Sequence, residues 1–148
     1  MNIDKTLITS SSAFIRGIQP EAVWNIWCDI PNWPSWDHNF REVKLNSSFA
    51  IGGLITIFHK HYPSPTELRI CNIEESRRFD TESQLAFGHV TVQREVVREK
   101  DGVKITHEFY LLPTNESMRE MFEQRIAENV KKDFDNAVLN IAELLNKA

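Results

Sequence analysis

SMREMFEQRIAENVKKDFDNAVLNIAELLNK, residues Ser117 to Lys147, is the stretch that decides the fold. Met118, Phe122, Ile126, Val130, Phe134, Val138, Ile141 and Leu145 recur every three or four residues, with Met121, Ala137 and Leu144 widening the stripe. That spacing predicts one long amphipathic helix with a broad apolar face. Ser117 and Glu120 stand as a capping box, in which serine and glutamate satisfy each other's free backbone amides at a helix start. Glu128 with Lys132, and Glu143 with Lys147, add favourably ordered charge pairs on the polar side. At 1.5 Å per residue such a helix is about 45 Å long, comparable to the diameter of a small domain. It is therefore expected to lie across a sheet rather than beside one edge.

Upstream of the helix the periodicity shortens. Candidate strands run over Glu42 to Asn46, Leu54 to His61, Thr66 to Glu74, Arg78 to Leu85, Phe87 to Arg98 and Val103 to Leu112, separated by Gly52-Gly53, Pro63-Ser64-Pro65, Glu75 to Arg77, Ala86-Phe87-Gly88 and Lys100-Asp101-Gly102. Asp101-Gly102 is the strongest hairpin signal, and connections this short imply an antiparallel meander. Thr6 to Arg16 reads as a further strand whose inward face is only partly apolar. After it, Gln19-Pro20-Glu21 marks a helix start. Val23, Ile26, Trp27 and Ile30 continue at helical spacing until Pro31 stops the helix, and a second short helix or turn is expected from Pro34 to about Phe40. The predicted class is α+β, in one domain spanning residues 1–148.

Composition narrows the function classes. The 148 residues are 41% hydrophobic and 26% charged with net charge −4, ordinary values for a protein with one core. The basic residues are dispersed rather than gathered in a stripe, which argues against a nucleic-acid partner. No apolar run approaches the roughly 20 residues that cross a bilayer, and Met1 to Ser12 lacks the basic start and apolar stretch of a secretory signal. A cytoplasmic protein is expected, with Cys28 and Cys71 as reduced, mostly buried thiols. A weak homodimer is compatible with this composition, which leaves the oligomeric state open.

The order strand, two short helices, six-strand meander and long terminal helix resembles the helix-grip fold of the START and polyketide-cyclase superfamily, to which the birch pollen allergen also belongs. The resemblance is carried by Ile18-Gln19-Pro20-Glu21-Ala22-Val23-Trp24 through Asp29, by Trp33-Pro34-Ser35-Trp36-Asp37, by Phe49-Ala50-Ile51-Gly52, by Ile73-Glu74-Glu75-Ser76-Arg77-Arg78-Phe79, and by Asp101 to Glu108. It implies a curved sheet of about seven strands gripping the long helix, with a cavity between them. Members include lipid carriers, hormone receptors, aromatic polyketide cyclases, quinone-binding proteins and chaperone activators, so the resemblance implies a pocket more firmly than a reaction. The chain departs from the pattern at His59-Lys60-His61-Tyr62-Pro63-Ser64-Pro65, a more polar and proline-rich end than the usual short hairpin.

The candidate ligand-binding residues follow from chemistry and alternation. Trp33 and Trp36 beside the joint can wall a pocket mouth or anchor the short helices on the sheet. Alternation puts His107 on one face with Ile105 and Phe109, where a histidine can bond a ligand or act as acid or base, or else be satisfied within the core. Phe87 and His89 open the neighbouring strand, Phe87 to Arg98, with weaker alternation around His89. Arg94 falls in the series Val90, Val92, Arg94, Val96, and can fork onto a ligand carboxylate or phenolate or pair outward with Glu95 or Glu108. Phe58 is assigned to the cavity wall, as are Met118, Phe122 and Ile126 at the helix start. His59 and His61 share a strand face, but no third ligand is placed, so they read as solvated rim residues rather than a metal site. No nucleophile with a base, phosphate-cradling loop or cofactor motif occurs.

Three functions compete. The first is binding or carrying a small apolar, aromatic or lipid-like molecule. The second is a cyclase or dehydratase using His107, His89, Arg94 and Tyr110 to move protons. The third is a protein-interaction module presenting the sheet or the Trp33 to Phe40 segment.

Overall fold

The computed structural model describes residues 5–146. Strand β1 (Thr6–Arg16) leads into helix α1 (Pro20–Cys28) and a 3-10 turn (Ile30–Ser35). Six strands follow: β2 (Phe40–Leu45), β3 (Leu54–His59), β4 (Thr66–Glu74), β5 (Arg78–Leu85), β6 (Gly88–Glu99) and β7 (Gly102–Pro113). They form one antiparallel sheet in the order β1-β7-β6-β5-β4-β3-β2, so the first strand closes against the last. The chain ends in α2 (Glu116–Arg125) and α3 (Ala127–Asn146).

The terminal helix departs from expectation in three ways. It is broken at Ile126, where φ is −119°, although the Ile126 amide still bonds Phe122 O at 2.9 Å and the Val130 amide bonds Ile126 O at 3.1 Å. The break is thus a bend in one rod, placed without help from proline or glycine. The cap is Asn115, whose side chain accepts from the Met118 amide at 2.9 Å, so Ser117 lies inside the helix. Finally, α3 touches the sheet chiefly along one side and faces its middle strands across a gap. Its backbone comes nearest to edge strand β1 and then β7. Ser11 Oγ fastens it by donating to Asp135 Oδ1 at 2.5 Å. Lys147, the predicted last residue of the helix, lies outside the described residues.

Local chemistry sets the other boundaries. Pro20 opens α1 at a position whose amide would be unbonded. The helix ends at Cys28, before Pro31, because Pro31 and Pro34 instead build the 3-10 turn that replaces the expected Pro34 to Phe40 helix. The last hairpin turns on Lys100 and Asp101, since Glu99 pairs with Gly102. Asp101 takes the left-handed conformation (φ 69°), while Gly102 is needed for space: a Cβ there would lie 2.1 Å from Ile15 O. A register shift between Leu7 and Thr9 explains the poor alternation of β1.

Buried side chains form two clusters rather than one. The larger gathers Trp24, Trp27, Trp33, Phe79 and Ile105 against Ala137, Val138 and Ile141 of α3. The smaller holds Val90, Phe109, Leu111 and Phe122, with Val92, Ile126, Val130 and Phe134 packed at its border. Among the described residues no helix is long and apolar enough to cross a membrane. Cys28 and Cys71 are both free and half-buried.

Candidate functional site

Alternation along each strand turns Phe79, Thr81, Ser83 and Leu85 of β5 toward the helix, with Val90, Val92, Arg94 and Val96 of β6 and Ile105, His107, Phe109 and Leu111 of β7. The register then sets them in rows. Phe79 pairs with Arg94, Arg94 with His107, and His107 with Ser11, while the next row runs Thr81, Val92, Phe109, Thr9. Facing side chains in such rows have Cβ atoms about 4.5–5.5 Å apart. One row of the concave face is therefore largely polar, and the next sets Val92 and Phe109 between two threonines.

The polar row is deeply buried. His107, 3% exposed, accepts from Trp27 Nε1 at its Nε2 (3.1 Å), which leaves its ring proton on Nδ1. Burial, followed by the nearby Arg94 charge, holds the imidazole well below its ordinary pKa, so it is neutral at pH 7. Arg94, 5% exposed, lies over the Trp33 ring at 5.0 Å and the Phe79 ring at 5.1 Å, and Nη1 donates to Thr81 Oγ1 at 3.2 Å. Its Nε–H has no partner. None of the ion pairs among the described residues includes Arg94. Burial pulls the guanidinium down to about 10, against the attraction of Asp80 and Asp37, and it stays protonated at neutral pH. Asp80 does not neutralise it, because that carboxylate lies on the other face and is held by Arg78 Nε at 3.1 Å to each oxygen.

Beside this row lies a cavity of about 260 Å³, partly open to solvent. Val92, Phe109, Val130 and Phe134 form much of its wall, Thr81, Arg94 and His107 its polar side, and Trp36 the flank toward the joint. Trp36 is 3% exposed, and its Nε1–H also lacks a partner. The rim is built by Asp37, Asn39 and Phe40, by His59 and Thr66, whose side chains bond at 2.7 Å, and by Asp133 of α3. Asn140 ties α3 to the joint by donating to Trp36 O at 3.1 Å. The Asp37 carboxyl is raised to about 6, first by burial and then by Asp133, against the lowering effect of the Asn39 amide bond and of His38 and Arg94.

Trp36, Arg94, His107 and Phe109 are thus brought together on the cavity wall. The other predicted residues are placed elsewhere. Trp33 is fully buried behind Arg94, its Nε1 donating to Trp27 O at 2.9 Å. Phe58 is on the convex face beneath Arg41 and Lys44, because Ile55, Ile57 and His59 take the inward positions of β3. His89 is also convex, 3.6 Å from Glu82. Phe87 and Phe122 meet at a tilt, ring centroids 5.0 Å apart, and close the end of the smaller cluster, with Ile126 at its edge. Met118 is half-buried on α2, away from the wall. Tyr110 faces outward, its hydroxyl donating to Glu108 at 3.1 Å.

The residues not predicted were Asp37 and Asp133 at the rim, Thr81, Ser83, Val90 and Val92 on the strands, and Val130 and Phe134 as wall rather than stripe. Period-2 alternation on β5 and the four-residue step from Val130 to Phe134 carried that information; nothing local marks Asp37. Among the described residues no group of side chains is placed to hold a metal ion.

The arrangement of sheet and helices has close counterparts among solved structures. A crystal structure of Ara h 8.0201 superposes with a TM-score of 0.70 over 98% of this chain and 100% of that chain, at 9% identity. Protein MLL2253 from Mesorhizobium loti gives 0.73 over 98% of each chain at 12% identity. This chain has the helix-grip fold. A further helix-grip neighbour is the di-domain ARO/CYC StfQ from the steffimycin biosynthetic pathway, with TM-score 0.69 and 8% identity over 93% of this chain and 51% of that one. No family model and no curated protein sequence matches the chain.

Proposed function

We propose that this helix-grip protein binds a compact, largely apolar, ring-sized molecule between the concave face of the sheet and α3. One observation carries the reading. Val92, Val130 and Phe134 sit inside the sandwich yet are only half-buried, because each keeps part of its surface toward the cavity, Phe134 even while its ring meets Phe109 edge-on at 5.7 Å. Apolar surface kept from contact in this way gains about 25 cal/mol per Å² when a ligand covers it. The size argues for one or two rings rather than a long acyl chain, since about 260 Å³ lies below the roughly 300–1,000 Å³ of sites for drug-sized ligands. The fold resemblance, whose members include carriers and receptors of small molecules, supports the same conclusion. The interaction-module alternative loses its motif, because Trp33 and Trp36 are buried.

The test is to titrate aromatic candidates against wild type and Val130→Trp, reading calorimetric heat and the fluorescence of Trp36. Filling the cavity is expected to weaken binding at least about tenfold while leaving the melting temperature unchanged or higher. Equal affinity in both proteins removes the cavity as the site.

A second reading rests on Asp37. A carboxyl raised to about 6 at the rim suits a general base working near neutrality, with Arg94 to hold the enolate it would create. Exchange of the acidic protons of an added aromatic β-diketone with deuterated water, followed by NMR, checks it. Exchange no faster than in buffer, or equal exchange with Asp37→Asn, ends the catalytic reading and leaves the binding one intact.

A further inference from the structure

The polar groups of the cavity wall are unbalanced in one direction. Arg94 Nε–H and Trp36 Nε1–H are buried donors with no acceptor, and the neutral His107 ring adds an Nδ1–H because Nε2 is taken by Trp27. Buried polar groups are normally paired, and a buried charge is normally met by an opposite one. The neighbouring carboxylates do not meet it: Asp80 is held by Arg78 on the convex face, and Asp37, at the rim, already accepts the Asn39 amide at 3.2 Å. The positive charge lies between two aromatic faces at 5.0 and 5.1 Å, with Thr81 Oγ1 as its one hydrogen-bond partner among the described residues.

We infer that the ligand is an organic anion, a carboxylate or ionised enol or phenol on a flat apolar body, whose charged oxygen is received at the Arg94 guanidinium. This rests on the binding reading above and specifies its ligand class. A guanidinium offers donors in a fixed fork that matches a carboxylate, and such charge-assisted bonds are about twice as strong as neutral ones. The apolar body then lies on Val92, Phe109, Val130 and Phe134, which the register and the helix place beside the polar row. A neutral ketone or amide would satisfy a donor but leave the charge uncompensated.

The test uses matched acids and amides, benzoate with benzamide and 2-naphthoate with 2-naphthamide, titrated calorimetrically into wild type, Arg94→Met and Val130→Trp. Wild type is expected to prefer each acid by at least about tenfold. Arg94→Met is expected to abolish that preference without weakening the amide, and Val130→Trp to weaken both. In ¹⁵N-labelled wild type the Arg94 Nε–H resonance should move on adding the acid and not the amide, a readout that survives even if Arg94→Met fails to fold. Equal affinity for acid and amide in wild type, or a preference that persists in Arg94→Met, overturns the inference while amide binding blocked by Val130→Trp still upholds the cavity. If no member of either pair binds at millimolar concentration, the cavity reading falls and the inference with it.

Discussion

Arg94→Met removes a buried positive charge while keeping an unbranched side chain of similar reach. Lowering the guanidinium from its ordinary value to about 10 corresponds, at 1.36 kcal/mol per pH unit, to about 3 kcal/mol held against folding by the charge. Methionine loses the bond to Thr81, worth about 1 kcal/mol, and two cation–π contacts of about 1–2 kcal/mol each. It regains about 1 kcal/mol at each ring through sulfur–aromatic contact. Relief of the charge and the sulfur contacts together outweigh the losses, so the variant is expected to be about 1 kcal/mol more stable, in line with the behaviour of other buried charges replaced by apolar groups. For a chain of this length that raises the melting midpoint by about 3 °C. Scanning calorimetry at pH 7 with urea unfolding as a cross-check measures it. A fall of more than about 3 °C would mean that the cation is stabilised in the fold, and the account of an uncompensated charge would be wrong. The sign against pH is fixed too: the native state releases this proton first, so the advantage of the variant fades as pH rises above about 10 toward the ordinary guanidinium value.

Asp37 gives the opposite pH signature in a milder range. Because its pKa is raised from 3.8 to about 6, the native state binds the proton more tightly, and stability present below pH 3.8 is lost as pH rises through 6. Asp37→Asn keeps the side-chain oxygen that accepts the Asn39 amide and is expected to match wild type at pH 4 but exceed it by about 2 kcal/mol at pH 7; an equal difference at both pH values in urea titrations refutes this. Trp27→Phe strands His107 Nε2 and should cost about 2–4 kcal/mol, and adding His107→Phe should restore at least about 1 kcal/mol, as a double-mutant cycle reads directly. Gly102→Ala, with its Cβ driven against Ile15 O, should cost about 3 kcal/mol or more, whereas Gly52→Ala, strained at φ 90° but in open space, should cost only about 1–2 kcal/mol. Similar losses in the two glycine variants would show that the β1–β7 pairing relaxes around Gly102.

Much of this fold is legible because it is written locally. Pro20, the turn residues between strands and the hairpin before Gly102 fix where elements begin and end, and β1, β4 and β5 fall on their predicted bounds. Alternation alone puts His107 and Phe109 on the concave face. Arg94 was harder. Its own alternation pointed inward, but Glu95 and Glu108 offered an outward partner, and only the pairing of Gln93 with Glu108 and of Glu95 with Thr106 shows both acids on the opposite face. Phe58 failed because one position of slippage reverses a strand's faces.

By itself, the sequence determined the elements, their order and the apolar side of each, since those depend on backbone preference and on periods of two and 3.6 residues. Only the tertiary structure decided that the terminal helix bends at Ile126 and runs nearest β1, that the core divides into two clusters, and that Asp37 and Arg94 face the space between them. Periodicity reports which side of an element avoids water. Whether that side meets a neighbour or a cavity depends on how far a curved sheet stands from the helix it grips, and no single segment encodes that distance.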